Sequence, residues 1–278
     1  MHELSIAFIG GGNMAGAIIG GLRRAGVEAS SIRVVEPLPA QRERLQQQFG
    51  VAAQPAADAA LEAADVIVWA VKPQQFAQAA AALREHAPGG ASALHLSIMA
   101  GVRGAAVARL ARAERVVRAM PNTPALIGHG VAGLHANAAC GAAERELAER
   151  VLGSTGELVW VDSEADLDAV TAVSGSGPAY MFYVLEALIA GGVRLGLSEQ
   201  VSRRLALGTM SGAAALAAGS SSTPAQLREQ VTSKGGTTAA ALDVLGARDV
   251  AGAFDAALQA AARRAVELAD ALERDAAG

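Results

Sequence analysis

The sequence predicts an α/β chain in two parts: an N-terminal Rossmann-type doubly wound, mostly parallel sheet, then an all-α domain. Three observations carry this. From residue 1 to about 160, short β-branched runs alternate with Ala-rich, charged segments of helical period, the pattern of a parallel βαβ sheet. A glycine-rich turn follows the first such run. Beyond Asp162 no further strand pattern occurs and long Ala-rich helical stretches take over.

The expected strands are Leu4 to Ile9, Ile32 to Val35, Val66 to Val71, Leu94 to Ile98, Val116 to Met120, Val131 to Leu134 and Leu158 to Val161. A dinucleotide-binding domain over residues 1–162 and a helical dimerisation and substrate-binding domain over 163–278 follow from this layout. Helix starts in the second part are marked by Ser198, by Thr223 with Pro224 and Gln226, and by Asp249, each a residue type that caps a free N-terminal amide. A helical domain of this size with few aromatics makes a poor core alone, so its Ala-faced helices are expected to bury area against a second copy.

Composition excludes several classes. The 278 residues carry 23 Lys plus Arg against 27 Asp plus Glu, a net charge of -4, so no basic surface is available for nucleic acid. Hydrophobic residues reach 52% but aromatics only 3%, because Ala supplies much of the apolar count. The most apolar window, Pro178 to Val193, contains Glu186 and is shorter than the roughly 20 residues that cross a bilayer. Met1, His2 and Glu3 run directly into an apolar strand without the order of a secretion signal, which leads us to expect a cytoplasmic protein. With Cys140 as the single cysteine, an intrachain disulfide and a Cys-rich metal site are both excluded, and no metal is expected.

The run Gly10, Gly11, Gly12, Asn13, Met14, Ala15 fits the GxGxxA dinucleotide fingerprint. Gly10 permits the tight turn, Gly12 lets backbone approach a pyrophosphate, and Ala15 lets the helix pack on its strand. The helix that starts at Asn13 points its free amides at the phosphates. Glu36, directly after the second strand, is placed to accept hydrogen bonds from an adenine ribose, which favours NADH. Arg42 and Arg44 stand close enough to serve a 2′-phosphate instead, so NADH and NADPH both remain open. Ala70, Val71, Lys72 and Pro73 fall at the carboxyl edge of the third strand, and Lys72 is one of only two lysines. Pro121 and Asn122, with Thr123 and Pro124, make a stiff loop after the fifth.

The electrophile is narrowed by what the helical half lacks. Ketone reduction places a His, Lys or Tyr acid beside the developing oxyanion. The segment Glu164 to Leu195 offers no His or Lys, only Tyr180 and Tyr183. A protonated imine already carries its proton and requires orientation more than acid. Val231 to Thr238, a Gly-rich turn edged by hydroxyls before the helix-forming Ala239 to Leu245, presents several N–H groups suited to a small carboxylate.

These residues together resemble the pyrroline-5-carboxylate reductase family. The resemblance rests on Phe8 to Ala15, Ala70 to Gln74, Ser97 to Gly101, Arg118 to Pro124, Ala172 to Tyr180 and Leu227 to Leu245. Its most specific parts are Ser174-Gly-Ser-Gly-Pro-Ala-Tyr180 and the Ser233 to Thr238 loop. It implies NAD(P)H-dependent reduction of L-1-pyrroline-5-carboxylate to L-proline, the last step of proline synthesis, by a homodimer with interlocked helical domains, in some members a decamer of five dimers. By matching position, Gly10, Gly12, Asn13 and Met14 would hold the pyrophosphate. Ala70, Val71, Lys72 and Pro73 would line the cofactor pocket, with Ala100, Gly101, Pro121 and Asn122 near the nicotinamide. Ser233, Gly235, Gly236 and Thr237 would bind the substrate carboxylate, and Thr238 would hydrogen-bond the ring nitrogen as the orienting or proton-relaying residue. The site would be completed across the dimer. Lys234 departs from the family, whose members commonly carry Pro there; the loop gains a positive charge and loses a fixed φ. Two other readings are a related dehydrogenase of a 3-hydroxy acid or ketone, which should carry a Lys in its long helix, and a non-catalytic NAD(P)-binding scaffold, which would not need the Ser233 to Thr238 loop.

Overall fold

The computed structural model describes residues 4–275. Met1, His2 and Glu3, on which the reading of the N-terminus rests, lie outside them. Among the described residues eight strands form one sheet: β1 (Ile6–Ile9), β2 (Ile32–Val35), β3 (Ala53–Gln54), β4 (Val66–Trp69), β5 (Leu94–Ser97), β6 (Val116–Met120), β7 (Gly130–Ala136) and β8 (Gly156–Trp160). Their order is β3-β2-β1-β4-β5-β6-β7-β8. Neighbours run parallel except β6 and β7, which pair antiparallel from Val117 opposite Ala136 to Met120 opposite Gly133.

Strand period two divides the apolar residues between the faces. Ile6, Phe8, Val66, Val68, Leu94 and Leu96 point to one side, where they meet Ile18, Ile19 and Leu22 of α1 (Asn13–Arg24) and Val151 and Leu152 of α5 (Ala142–Leu152). Ala7, Ile9, Ile67 and Trp69 point to the other, against Phe76 and Leu83 of α3 (Phe76–His86) and Val107 of α4 (Gly104–Ala111). Leu45 of α2 (Pro39–Phe49) joins the first core. Buried on both faces, β1 and β4 are therefore apolar throughout.

Seven strands lie where the sequence places them, within one or two residues at each end. β3, only two residues long, was not anticipated; it pairs Ala53 and Gln54 with Val34 and Val35 at the sheet edge. After β8 come α6 (Asp166–Val170), a π turn over Thr171–Gly175, α7 (Gly177–Arg194), α8 (Glu199–Ala218), α9 (Pro224–Gln230), α10 (Thr237–Ala247) and α11 (Val250–Asp275). The expected caps are present. Oγ of Ser198 accepts from the Val201 N–H, Thr223 and Gln226 form a reciprocal capping box, and Oδ1 of Asp249 accepts from the Gly252 N–H at 3.2 Å.

Packing divides the chain differently from the change in sequence pattern at Asp162. One compact unit runs through Ser176 and includes the chain from Ala260 onward; the other covers Gly177–Gln259. The physical reason lies in the end of α11. Ala265 and Ala269 are buried, Leu272 packs against the second core, and Asp270 meets Arg103 at 2.6 Å. No helix among the described residues is long and apolar enough to cross a membrane.

Candidate active site

The chain passes from β1 outward to β3 and then returns to β4 on the other side of β1, so the strand order reverses between β1 and β4. Ligands of open α/β sheets bind at the carboxyl ends of strands flanking such a reversal. The run Gly10 to Met14 leaves β1 at this point. Gly10 has φ +103°, and a Cβ on it would lie 2.5 Å from the carbonyl oxygen of Ala70, so only glycine fits. Above Gly12, by contrast, nothing lies within 4 Å of a Cβ position. Gly12 is the N-cap of α1 without a side-chain cap, and the first turn holds no acidic residue. The helix start thus presents amide donors and a positive dipole end to open space. A dinucleotide pyrophosphate fits this cradle, and a side chain at Gly12 would intrude on it.

Ala70, Val71, Lys72 and Pro73 follow β4 at the same rim, with Lys72 exposed. After β5, Ala100 is exposed and Gly101 half-buried. Pro121 and Asn122 follow β6 and are buried. Asn122 is only 8% exposed, and its side-chain amide is occupied: Nδ2 donates to the Ser174 carbonyl at 3.1 Å, and Oδ1 accepts from the Val131 N–H at 3.0 Å. It joins the start of β7 to the π turn. That turn closes with the Ser176 N–H on the Thr171 carbonyl at 2.8 Å, and Gly175 lies against the methyl end of Met120. π turns recur at functional sites, and this one abuts the loop that the resemblance puts at the nicotinamide.

Behind the rim, Arg118 of β6 pairs with Glu164 at 2.7 Å, and Glu164 also accepts from the Gly104 N–H at 2.5 Å. Burial alone would raise the Glu164 carboxyl; the Gly104 amide and Arg118 outweigh it and bring its pKa below the ordinary value. Nearby Asp168 is shifted upward by burial, against the pull of Arg118 and Arg103. Neither carboxylate was singled out from the sequence.

Glu36 also differs in its immediate bonding from what position alone conveys. It is 7% exposed, with Oε2 accepting from the Gly11 N–H at 2.8 Å and Oε1 from the Leu38 N–H at 2.9 Å. The carboxylate sits inside the turn between strand and helix, holding the glycine loop from behind.

The second candidate loop lies in the helical unit. Val231 ends α9, the Gly236 N–H bonds the Ser233 carbonyl at 3.0 Å, and α10 begins at Thr237. Gly235 takes φ +72°, and Gly236 is the N-cap, with no acidic residue in the first turn. Ser233, Lys234, Gly235 and Thr237 are exposed while Thr238 is half-buried. This places hydroxyls and uncapped amides together at a helix start, a donor set for an anion. Thr232 does not join it: its Oγ1 donates to the Arg228 carbonyl at 2.6 Å.

Comparisons with known proteins agree with these features. A family model described as pyrroline-5-carboxylate reductase dimerisation matches residues 164–268, and one described as NADP oxidoreductase coenzyme F420-dependent matches residues 5–101. A pyrroline-5-carboxylate reductase of Pseudomonas aeruginosa is 45% identical over 273 residues, spanning 98% of this chain and 99% of its own. One from Pasteurella multocida is 39% identical over 96% of this chain and 98% of its own. Among solved structures, that of a pyrroline-5-carboxylate reductase from Coxiella burnetii superposes with TM-score 0.89 at 36% identity, over 96% of this chain and 99% of that one. The Plasmodium falciparum enzyme with NADP bound gives TM-score 0.85 at 26% identity, over 97% and 99%. With likeness along nearly the whole length, the chain belongs to the pyrroline-5-carboxylate reductase family.

Proposed function

We propose that this chain reduces L-1-pyrroline-5-carboxylate to L-proline with NADH or NADPH. The observation that carries the reading is the pairing, in one chain, of an open pyrophosphate cradle at Gly12 with a hydroxyl-edged, uncapped helix start at Ser233 to Thr238. Gly12, Asn13 and Met14 offer the amides of the first turn of α1 to the pyrophosphate, while Gly10 supplies the turn geometry that lets them point outward. Ala70 to Pro73, Ala100, Gly101 and Pro121 form the rim along which the rest of the cofactor lies. A bound reduced nicotinamide supplies the hydride for the imine carbon. Ser233, Gly235, Gly236 and Thr237 hold the carboxylate, and Thr238 fixes the ring nitrogen through its hydroxyl. The iminium becomes a neutral amine as hydride is added, so no acid is required beside it. The absence of Lys and His from α7, which offers only Tyr180 and Tyr183, accords with this.

The working unit we infer is a homodimer with interlocked helical domains, one chain holding the cofactor and its partner the imino acid; assembly of five dimers into a decamer belongs to the same reading. The family model for dimerisation supports association. So does the composition of the helical unit's surface, where Leu195 is 87% and Tyr183 74% exposed and α7, α9 and α10 contribute no buried residue. The reading places the enzyme in the cytoplasm. Mixing purified protein with pyrroline-5-carboxylate and each reduced nicotinamide, and following cofactor absorbance, tests the activity. Failure to consume either cofactor would remove it.

A further inference from the structure

Gly11 is the glycine of the run that the fingerprint leaves unspecified, yet both of its backbone polar groups are held by charged side chains. Its N–H donates to Oε2 of Glu36 at 2.8 Å, and its carbonyl accepts from Nη2 of Arg44 at 3.1 Å. Nη1 of the same guanidinium donates to Oδ1 of Asn13 at 2.8 Å. A Cβ on Gly11 would lie 2.8 Å from Leu45 and 3.2 Å from Cβ of Glu36, so the loop backbone is pressed against the segment that carries both charges. Arg42 is committed as well, donating from Nη1 to the carbonyls of Glu36 and Pro37 at 2.9 and 2.7 Å.

These bonds bear on the choice of cofactor. A 2′-phosphate on the adenine ribose carries close to two negative charges near neutral pH and requires cationic donors that are free to turn to it. Here the guanidinium of Arg42 is bound to carbonyls and that of Arg44 to Gly11 and Asn13. The group at the ribose end of the site is instead the largely buried carboxylate of Glu36, where solvent screens repulsion poorly. A carboxylate offers about four acceptor positions. The Gly11 and Leu38 amides use one on each oxygen, which leaves capacity for ribose hydroxyls but none for a phosphate.

We propose that Glu36 makes this chain select NADH over NADPH, and that Arg44 is a positioning residue holding the Gly11 to Asn13 turn and does not read a 2′-phosphate. The inference deepens the proposed function and rests on its cofactor loop, not on its substrate.

The test is titration of the full-length protein with NADH and with NADPH, without imine, following nicotinamide fluorescence. The wild type is expected to bind NADH about tenfold or more tightly than NADPH. Glu36→Gln removes the charge and should shift the ratio roughly tenfold towards NADPH. Arg44→Gln should weaken both cofactors by a common factor of about three to ten, leaving their ratio within about twofold of wild type. Tighter NADPH binding by the wild type, an unchanged ratio in Glu36→Gln, or selective loss of NADPH in Arg44→Gln would each overturn the proposal. The wild-type ratio decides even if a variant fails to fold. Intact NADH binding without turnover of the imine would sink the proline reading alone; turnover with NADPH preferred would sink this one alone. Binding of neither cofactor would sink both.

Discussion

Nε1–H of Trp69 donates to Nδ1 of His95 at 2.9 Å in the interior of the sheet, while Nε2 of His95 lies 3.1 Å from the Gly90 carbonyl. The two bonds together fix a neutral imidazole with its proton on Nε2. Trp69 also meets Phe76 edge-on at 5.0 Å, so the pair anchors β4 and β5 to α3 directly beneath the rim that leads to Lys72.

Burial lowers the His95 pKa from 6.5 to about 4, against the raising effect of the Gly90 carbonyl. The unfolded chain therefore takes up this proton below about pH 6.5 and the folded chain only near pH 4, so stability falls as pH drops through that window. The full effect is about 3 kcal/mol. Urea denaturation at pH 7 and pH 5 should show the loss in the wild type and a flatter profile in His95→Gln. Equal slopes in the two proteins would contradict the assignment.

Gly10→Ala and Gly12→Ala separate folding from cofactor binding. Alanine at Gly10 meets both a positive φ and the Ala70 carbonyl, and should cost about 2–3 kcal/mol. At Gly12 its methyl enters open space, so stability should change by less than about 1 kcal/mol while NADH binding weakens by about tenfold or more. Thermal melts paired with cofactor titration check both.

Asn122→Ala leaves the Val131 N–H and the Ser174 carbonyl without their partner in a buried setting. We expect a loss of about 2 kcal/mol and a lower kcat from a loosened loop. Asn122→Asp should restore the bond from Val131 but not the one to Ser174, giving an intermediate protein in denaturant melts and steady-state assays.

Thr238→Ala should lower kcat/KM for the imine by about tenfold or more, roughly 1.4 kcal/mol, with the Kd for NADH nearly unchanged. Equal loss of cofactor affinity would move Thr238 out of the proposed role.

Much of this architecture was legible because the signals are local. The β-branched runs at Ile32–Val35 and Val116–Met120 form strands with the expected bounds, and the caps at Ser198, Thr223 and Asp249 act within three residues of themselves. β1 starts two residues after its apolar run, at Ile6, while β4 and β5 end before theirs: the Ala70 and Ile98 N–H groups make last bonds to the Ile9 and Trp69 carbonyls as the chain turns out to the rim. β3 escaped notice because two residues without a β-branched side chain carry no period; pairing with β2 makes it a strand. The bonds of Arg44 and Asn122 join residues 33, 52 and 9 positions apart and depend on how the strands are ordered, which periodicity does not encode. The break in packing after Ser176 was hidden for a similar reason: the end of α11 returns to the second core through Leu272 and to Arg103 through Asp270.

The reversed direction of β7 has a consequence for how this protein can be re-engineered. Because β6 and β7 run in opposite senses, residues 122 and 131 end up at the same rim, and a single amide closes the segment between them into a small ring. Its tip, Leu126 and Ile127, is exposed and looks like a natural place to splice in a tag or open new termini. Changing the ring's circumference there would pull Asn122 off its anchor, so grafting at this hairpin should damage turnover, whereas the polar stretch Gly219 to Ser222 offers a safer point of attachment.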